Sequence, residues 1–144
     1  MPADVTMATQ ERLAEIINSG DIDSLDEVFA VDVVDHDPAP DQRSGPDGFK
    51  DFFRTLRSAF PDLHIEPATV VTDDDHVCIA YTISGTHQGE FQGIQPTGHS
   101  VTARGVQIAR FQDGKIVERW GSSDERGLLA QLGATPTTGA TVTG

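Results

Sequence analysis

Apolar positions recur at helical spacing up to about residue 62 and alternate from there on. Leu13, Ile16 and Ile17 predict a helix over about 8–18 that stops at Ser19-Gly20. A second, short helix is predicted with Ile22, Leu25, Val28 and Phe29 on one stripe and Asp21 as its N-cap. The stretch 33–41 reads as an irregular link, because its prolines stop any helix. A third helix starts near Pro46, and Phe49, Phe52, Phe53, Leu56 and Phe60 give it the clearest amphipathic pattern in the chain. Strands follow at 63–72, 76–86, 100–112 and 115–123, then a last helix over 125–132 that closes at Gly133. Helices first and consecutive strands afterwards predict an α+β domain, with the helices on one face of an antiparallel sheet.

The turn Asp113-Gly114 sets a register. A two-residue loop of this type pairs Gln112 with Lys115 and Phe111 with Ile116. Continued without a bulge, the ladder sets Gln107 opposite Trp120, Gly105 opposite Ser122 and Ala103 opposite Asp124. One face would then carry Trp120, Gln107 and, at its end, the carboxylate of Asp124. A bulge would flip the set. In the strand 76–86, Val77, Ile79, Tyr81 and Ile83 occupy one face while Cys78 and Ala80 keep the other apolar. Helices cover only one of these faces, so a homodimer through the outer sheet face is expected.

Composition narrows the possible partners. The chain has 144 residues, enough for one domain with a real core; residues 1–133 read as that domain and 134–144 as a mobile tail. A net charge of −13 argues against nucleic acid and against anionic membrane surfaces. Cys78 is the sole cysteine and reads as a buried hydrophobe. Neither a signal peptide nor a membrane span is expected, which points to the cytoplasm. The histidines lack metal-type spacing, so no metal is expected. No phosphate loop or nucleophile elbow is found.

The segments Val34-Asp-His-Asp-Pro38, Gly48-Phe-Lys-Asp-Phe-Phe53 to Phe60-Pro-Asp-Leu63, and Gly85-Thr-His-Gln-Gly-Glu-Phe-Gln-Gly-Ile94 with Pro96-Thr-Gly98 carry a resemblance. It continues through Gly105-Val-Gln-Ile108, Phe111 to Ile116, Trp120 with Asp124, and Leu128 to Gly133. Together they resemble the SnoaL-like polyketide cyclases of the nuclear transport factor 2-like superfamily, over about residues 10–133. The resemblance implies a cone-shaped curved sheet around a pocket, often dimeric, and ring closure by intramolecular aldol condensation without cofactor or metal. It also implies acid/base work for Asp124, assisted by polar groups that include histidines.

Each candidate has a plainer reading. Asp124 stands directly before a helix and could serve only as its N-cap; a base would need to face an enclosed hollow. His36, between Asp35 and Asp37, reads either as a solvated loop residue or as a donor to a substrate oxygen that gains charge. Gln107 could bind a substrate carbonyl without burying a charge, or merely satisfy a nearby N–H. Trp120, Phe91, Ile94 and Phe53 would hold a flat, apolar or polycyclic small molecule, or simply fill the core. His87 and His99 read as turn packing or, for one of them, as a group at the pocket mouth. Outside the cyclase reading stand an isomerase, dehydratase or hydrolase of the same fold, a non-catalytic small-molecule binder, and a structural dimerisation module.

Overall fold

The computed structural model describes residues 3–133, so the tail expected to be mobile lies outside the described residues. Helix α1 spans Ala3–Ser19 and a 3-10 helix spans Ile22–Glu27. Strand β1 (Phe29–Asp35) and helix α2 (Pro46–Ala59) follow. Then come β2 (His64–Thr72), β3 (His76–Thr86), β4 (Ser100–Gln112) and β5 (Lys115–Ser123), and α3 (Glu125–Gln131) ends the domain. The strands form one open sheet in the order β1-β5-β4-β3-β2. All neighbours are antiparallel except β1, which runs parallel to β5. This is an α+β fold, with a mixed sheet where a purely antiparallel one was expected.

Strand β1 corrects the early part of the reading. Phe29 does not continue a helical stripe; it starts a strand whose Phe29 and Val33 are buried while Val31 is 88% exposed. The burial does not alternate with period two, because the pairing with β5 shifts register between Phe29 and Val34, and that partner lies far along the chain. Local spacing could not reveal it. Asp21 also differs from expectation: it makes no side-chain cap bond to the backbone, and its carboxylate accepts from the Ser24 hydroxyl at 2.6 Å.

The core lies between the inner sheet face and the helices. Ile16, Leu25, Phe60, Phe111 and Ile116 are among its largest fully buried members. Phe29 stacks on Phe49 with centroids 4.1 Å apart, fastening α2 over β1. Arg57 donates to the Ile17 carbonyl at 2.9 Å and to the Pro61 carbonyl at 3.1 Å, satisfying carbonyls left open at the ends of α1 and α2. Asn18 pairs with both backbone groups of Ile65, which seats α1 on β2.

The connection 87–99 is built around His87, which is fully buried. The Thr97 N–H donates to His87 Nδ1 at 3.1 Å, and the Gly98 N–H donates to its carbonyl. Gln88 and Gly89 donate their N–H groups to the Ala59 carbonyl, so the same segment caps α2. Turn packing is thus the part His87 plays here. His99 Nδ1 lies 3.0 Å from the Gln131 carbonyl, tying the connection to α3.

Candidate active site

The sheet register decides which side chains meet. Gln112 pairs with Lys115 and Phe111 with Ile116, as the Asp-Gly turn requires. Between Arg110 and Phe111 the register shifts by one: Arg110 pairs with Glu118, so Val117 is the extra residue of a bulge. From there Ile108 faces Trp120 and Gln107 faces Gly121. The expected Gln107–Trp120 and Ala103–Asp124 pairs are therefore corrected. A one-residue slip moves every later side chain of β5 to the other face.

Trp120 accordingly lies on the outer face beside Ile108. His36 lies with it: the two rings stack with centroids 4.7 Å apart and 9° between planes. His36 Nε2 is 2.9 Å from Glu118 Oε2, and Arg110 donates to the other oxygen of Glu118. Those bonds, the one from His36 foremost, hold the Glu118 carboxyl below the usual range for glutamate. Neither flanking aspartate orients His36. Asp37 accepts from the Gly121 N–H at 2.9 Å, and Asp35 turns to the inner face.

The place predicted for Trp120 is taken by Arg119. It shares the inner face with Ala109, its cross-strand partner, and with Asp35, its parallel partner on β1. Arg119 Nη1 donates to Asp35 Oδ1 at 3.1 Å, and Nε donates to Gln107 Oε1 at 3.1 Å. The Gln42 side chain donates to Asp35 Oδ2 at 3.0 Å. The Asp35 side chain is only 7% exposed and that of Arg119 19%, so the pair exists by mutual neutralisation and hydrogen bonding. Gln107 is where the sequence placed it, half-buried on the inner face.

Tyr81 adds the last polar group to this face. It pairs with Gly105, and its hydroxyl lies over that glycine: a Cβ there would come within 2.4 Å of the oxygen. Gly121 leaves the same kind of space for Arg119, whose Nη2 lies 2.4 Å from where a Cβ would be. Burial pushes the Tyr81 phenol up, and the charge of Arg119 offsets part of that rise. Arg119, Asp35 and Tyr81 were not picked as site residues. An allowance for a bulge after the Asp-Gly turn would have exposed Arg119; nothing local pointed to Asp35.

Asp124 stands where β5 gives way to α3. Its Oδ1 accepts from the Gly127 N–H at 2.9 Å, and the residue is exposed. The N-cap reading is thus realised in the structure, while Oδ2 has no hydrogen-bond partner among the described residues. Gln92, from the connection that holds Phe91 and Ile94, donates to Glu125 in the next position, so the carboxylate stands beside that connection. Phe91 is buried, and Ile94 and Phe53 pack on the core from partly exposed positions. The expected site residues therefore divide: Gln107 on the inner face, Phe91, Ile94 and Phe53 around the core, Asp124 at a helix start, His36 and Trp120 outside.

Two hollows adjoin these elements. One of about 10 Å³, between Phe60, Ile83, Val101 and Leu128, holds no more than a water-sized guest. The other, about 360 Å³, is a cleft between β1 and the link to α2. Its wall includes Val33, Phe49, Gln42 and Asp35, so the buried ion pair borders a space of small-molecule size. Asp73, Asp75 and His76 cluster at the β2–β3 turn with metal-like proximity, but they are exposed or half-exposed and acidic turns commonly stand so without an ion.

A mixed five-stranded sheet backed by helices, with a polar line set into an apolar inner face, defines a small-ligand α+β domain. The chain belongs to the SnoaL-like polyketide cyclase family, whose model matches residues 7–132. Among solved structures it is similar to IdmH of Streptomyces antibioticus, provisionally assigned as a polyketide cyclase: 32% identity, TM-score 0.79, 90% of this chain and 99% of that one. It is also similar to AclR of Streptomyces galilaeus, provisionally assigned as a hydroxylase, with 32% identity, TM-score 0.80 and coverage of 91% and 82%. TsrD of Streptomyces laurentii aligns at 25% identity and TM-score 0.85, covering 93% and 98%. No curated protein matched the chain.

Proposed function

We propose that this protein closes a ring in an apolar, polyketide-type substrate by intramolecular aldol condensation, with neither cofactor nor metal. The observation that carries the reading is Gln107 on the inner face: Arg119 occupies its oxygen, so its amide N–H groups are turned to a substrate carbonyl. Asp124 is the base, acting through the oxygen that Gly127 leaves free. It takes a proton from a carbon activated by neighbouring carbonyls, and that carbon attacks a carbonyl of the same molecule. The resulting alkoxide takes that proton back from Asp124, which returns to the carboxylate, and the ring is closed. Asp124 lies just past the end of β5, three residues or about 10 Å beyond Gly121, the partner of Gln107, so in this proposal it meets the substrate from the strand end and not from the inner face. Phe91, Ile94 and Phe53 supply apolar surface. Because both reacting carbons belong to one molecule, holding them together contributes much of the rate.

Asn caps a helix about as well as Asp. Asp124→Asn therefore keeps the fold and removes the base, and we expect an unchanged melting temperature with turnover reduced at least about 100-fold. The assay is a timed conversion of an anthraquinone-type ester bearing a β-keto side chain. Near-normal turnover in the variant would remove Asp124 from the mechanism. A non-catalytic binder is the second reading, favoured by the exposure of Asp124 and its bond to Gly127. Saturable binding of the same ester with no conversion would select it.

The outer face belongs to a second copy of the chain in this proposal. Val106, Ile108, Val34 and Val71 are 39–62% exposed there. Isolated apolar residues on a surface are ordinary, but neighbouring ones on one sheet face mark an interface. His36 and Trp120 fall within that patch and are assigned to it.

A further inference from the structure

The inner face has more hydrogen-bond donors than acceptors. Arg119 spends Nε on Gln107 and Nη1 on Asp35, and among the described residues nothing accepts from Nη2. Gln107 must turn its oxygen to Arg119, because a guanidinium only donates; its NH2 group has no partner among the described residues. The Tyr81 hydroxyl likewise has no hydrogen-bond partner among the described residues. The Asp35 carboxylate is already taken up by Arg119, Gln42 and the Asp37 N–H. None of these three donors is fully enclosed, so each meets water in the free protein and is open to the acceptor of a ligand.

Geometry brings these donors together. Gly105 pairs with Ser123 and Gln107 with Gly121, so Gly105 and Gly121 are diagonal neighbours on β4 and β5, about 7 Å apart. The Tyr81 hydroxyl lies over the first glycine and Arg119 Nη2 over the second. The Asp35 carboxylate holds the guanidinium in one orientation and cancels its net charge, so what the ligand meets is a fixed set of donors.

We infer that Tyr81, Arg119 and Gln107 form an oxyanion site, and that its ligand is a flat ring system carrying an enol or phenol oxygen that binds as the anion. This names the substrate class for the proposed cyclase and rests on that reading for the location of the site. The oxygen loses its proton to solvent and accepts from Arg119 Nη2 and the Tyr81 hydroxyl. Gln107 holds the neighbouring carbonyl.

2-Hydroxyanthraquinone is the probe, because its colour reports ionisation and it cannot cyclise. Bound to the wild-type protein, its ionisation midpoint should fall by about one pH unit, a tenfold preference for the anion. Asp35→Asn combined with Arg119→Gln removes the ion pair without stranding a buried charge, and the shift should vanish. Tyr81→Phe deletes a hydroxyl that bonds nothing among the described residues; it should leave the melting temperature unchanged and shrink the shift about threefold. A bound probe that ionises at or above its free midpoint overturns the inference. So does an absence of binding at millimolar probe, or a full shift in both variants. Turnover is not read, so a protein that grips the anion yet closes no ring would end the cyclase reading and leave this one standing.

Discussion

Gly89 has no room for a methyl group. A Cβ there would lie 2.2 Å from the Ser58 carbonyl oxygen, and backbone cannot step aside as a side-chain tip can. The approach is close because the Gly89 N–H bonds the Ala59 carbonyl at the end of α2. Gly89→Ala should cost about 1–3 kcal/mol, an overpacking penalty. A urea titration would show it as a lower midpoint with unchanged slope, whereas a wild-type midpoint would mean that the connection does not rest on α2. Residue-scale reading of the sequence succeeded where one residue's chemistry suffices. Asp124 before a helix offered a cap, and a cap is present. It failed for His36, whose neighbours Trp120 and Glu118 arrive from a strand more than eighty positions away.

At the scale of elements the decisive feature is the bulge at Val117. The Asp-Gly turn set the first two pairs of the hairpin correctly, and alternation identified both strands. One extra residue then exchanged Trp120 for Arg119 on the inner face. Ile116 is fully buried before the bulge, and Ala109 remains buried opposite Arg119 after it, so both segments satisfy the core in their own register. Deleting Val117 would force a choice: either Ile116 leaves the core or Trp120 enters it in place of Arg119 and strands Asp35. We expect loss of cooperative thermal unfolding in that deletion. A native-like melting transition, with Trp120 fluorescence shifted to the blue, would show instead that the sheet accepts the unbulged register.

At the scale of the whole molecule, the face without helices sets the expected assembly. Val106 and Ile108 on β4 stand between Cys78 and Ala80 on β3 and Trp120 and Ser122 on β5, an apolar band spanning three strands. Light scattering at micromolar concentration should give about twice the chain mass of 15.5 kDa. Ile108→Glu should return a folded monomer, because burying an unpaired carboxylate at an interface is strongly unfavourable. A wild-type protein that scatters as a monomer would sink the dimer, and Trp120 and His36 would then face water.

Period and punctuation are properties of neighbouring residues, so the chain alone determined the α+β order, helix α2 with its phenylalanines, the consecutive strands and the hairpin. Its motifs also carried the family resemblance. Strand β1, the parallel pairing and the company kept by Arg119, Asp35 and Tyr81 were decided by the tertiary structure. Each depends on segments distant in sequence meeting across the sheet, and on whether a strand absorbs one extra residue. Alternation with period two records that a strand has two faces; only its packed partners choose which face turns inward.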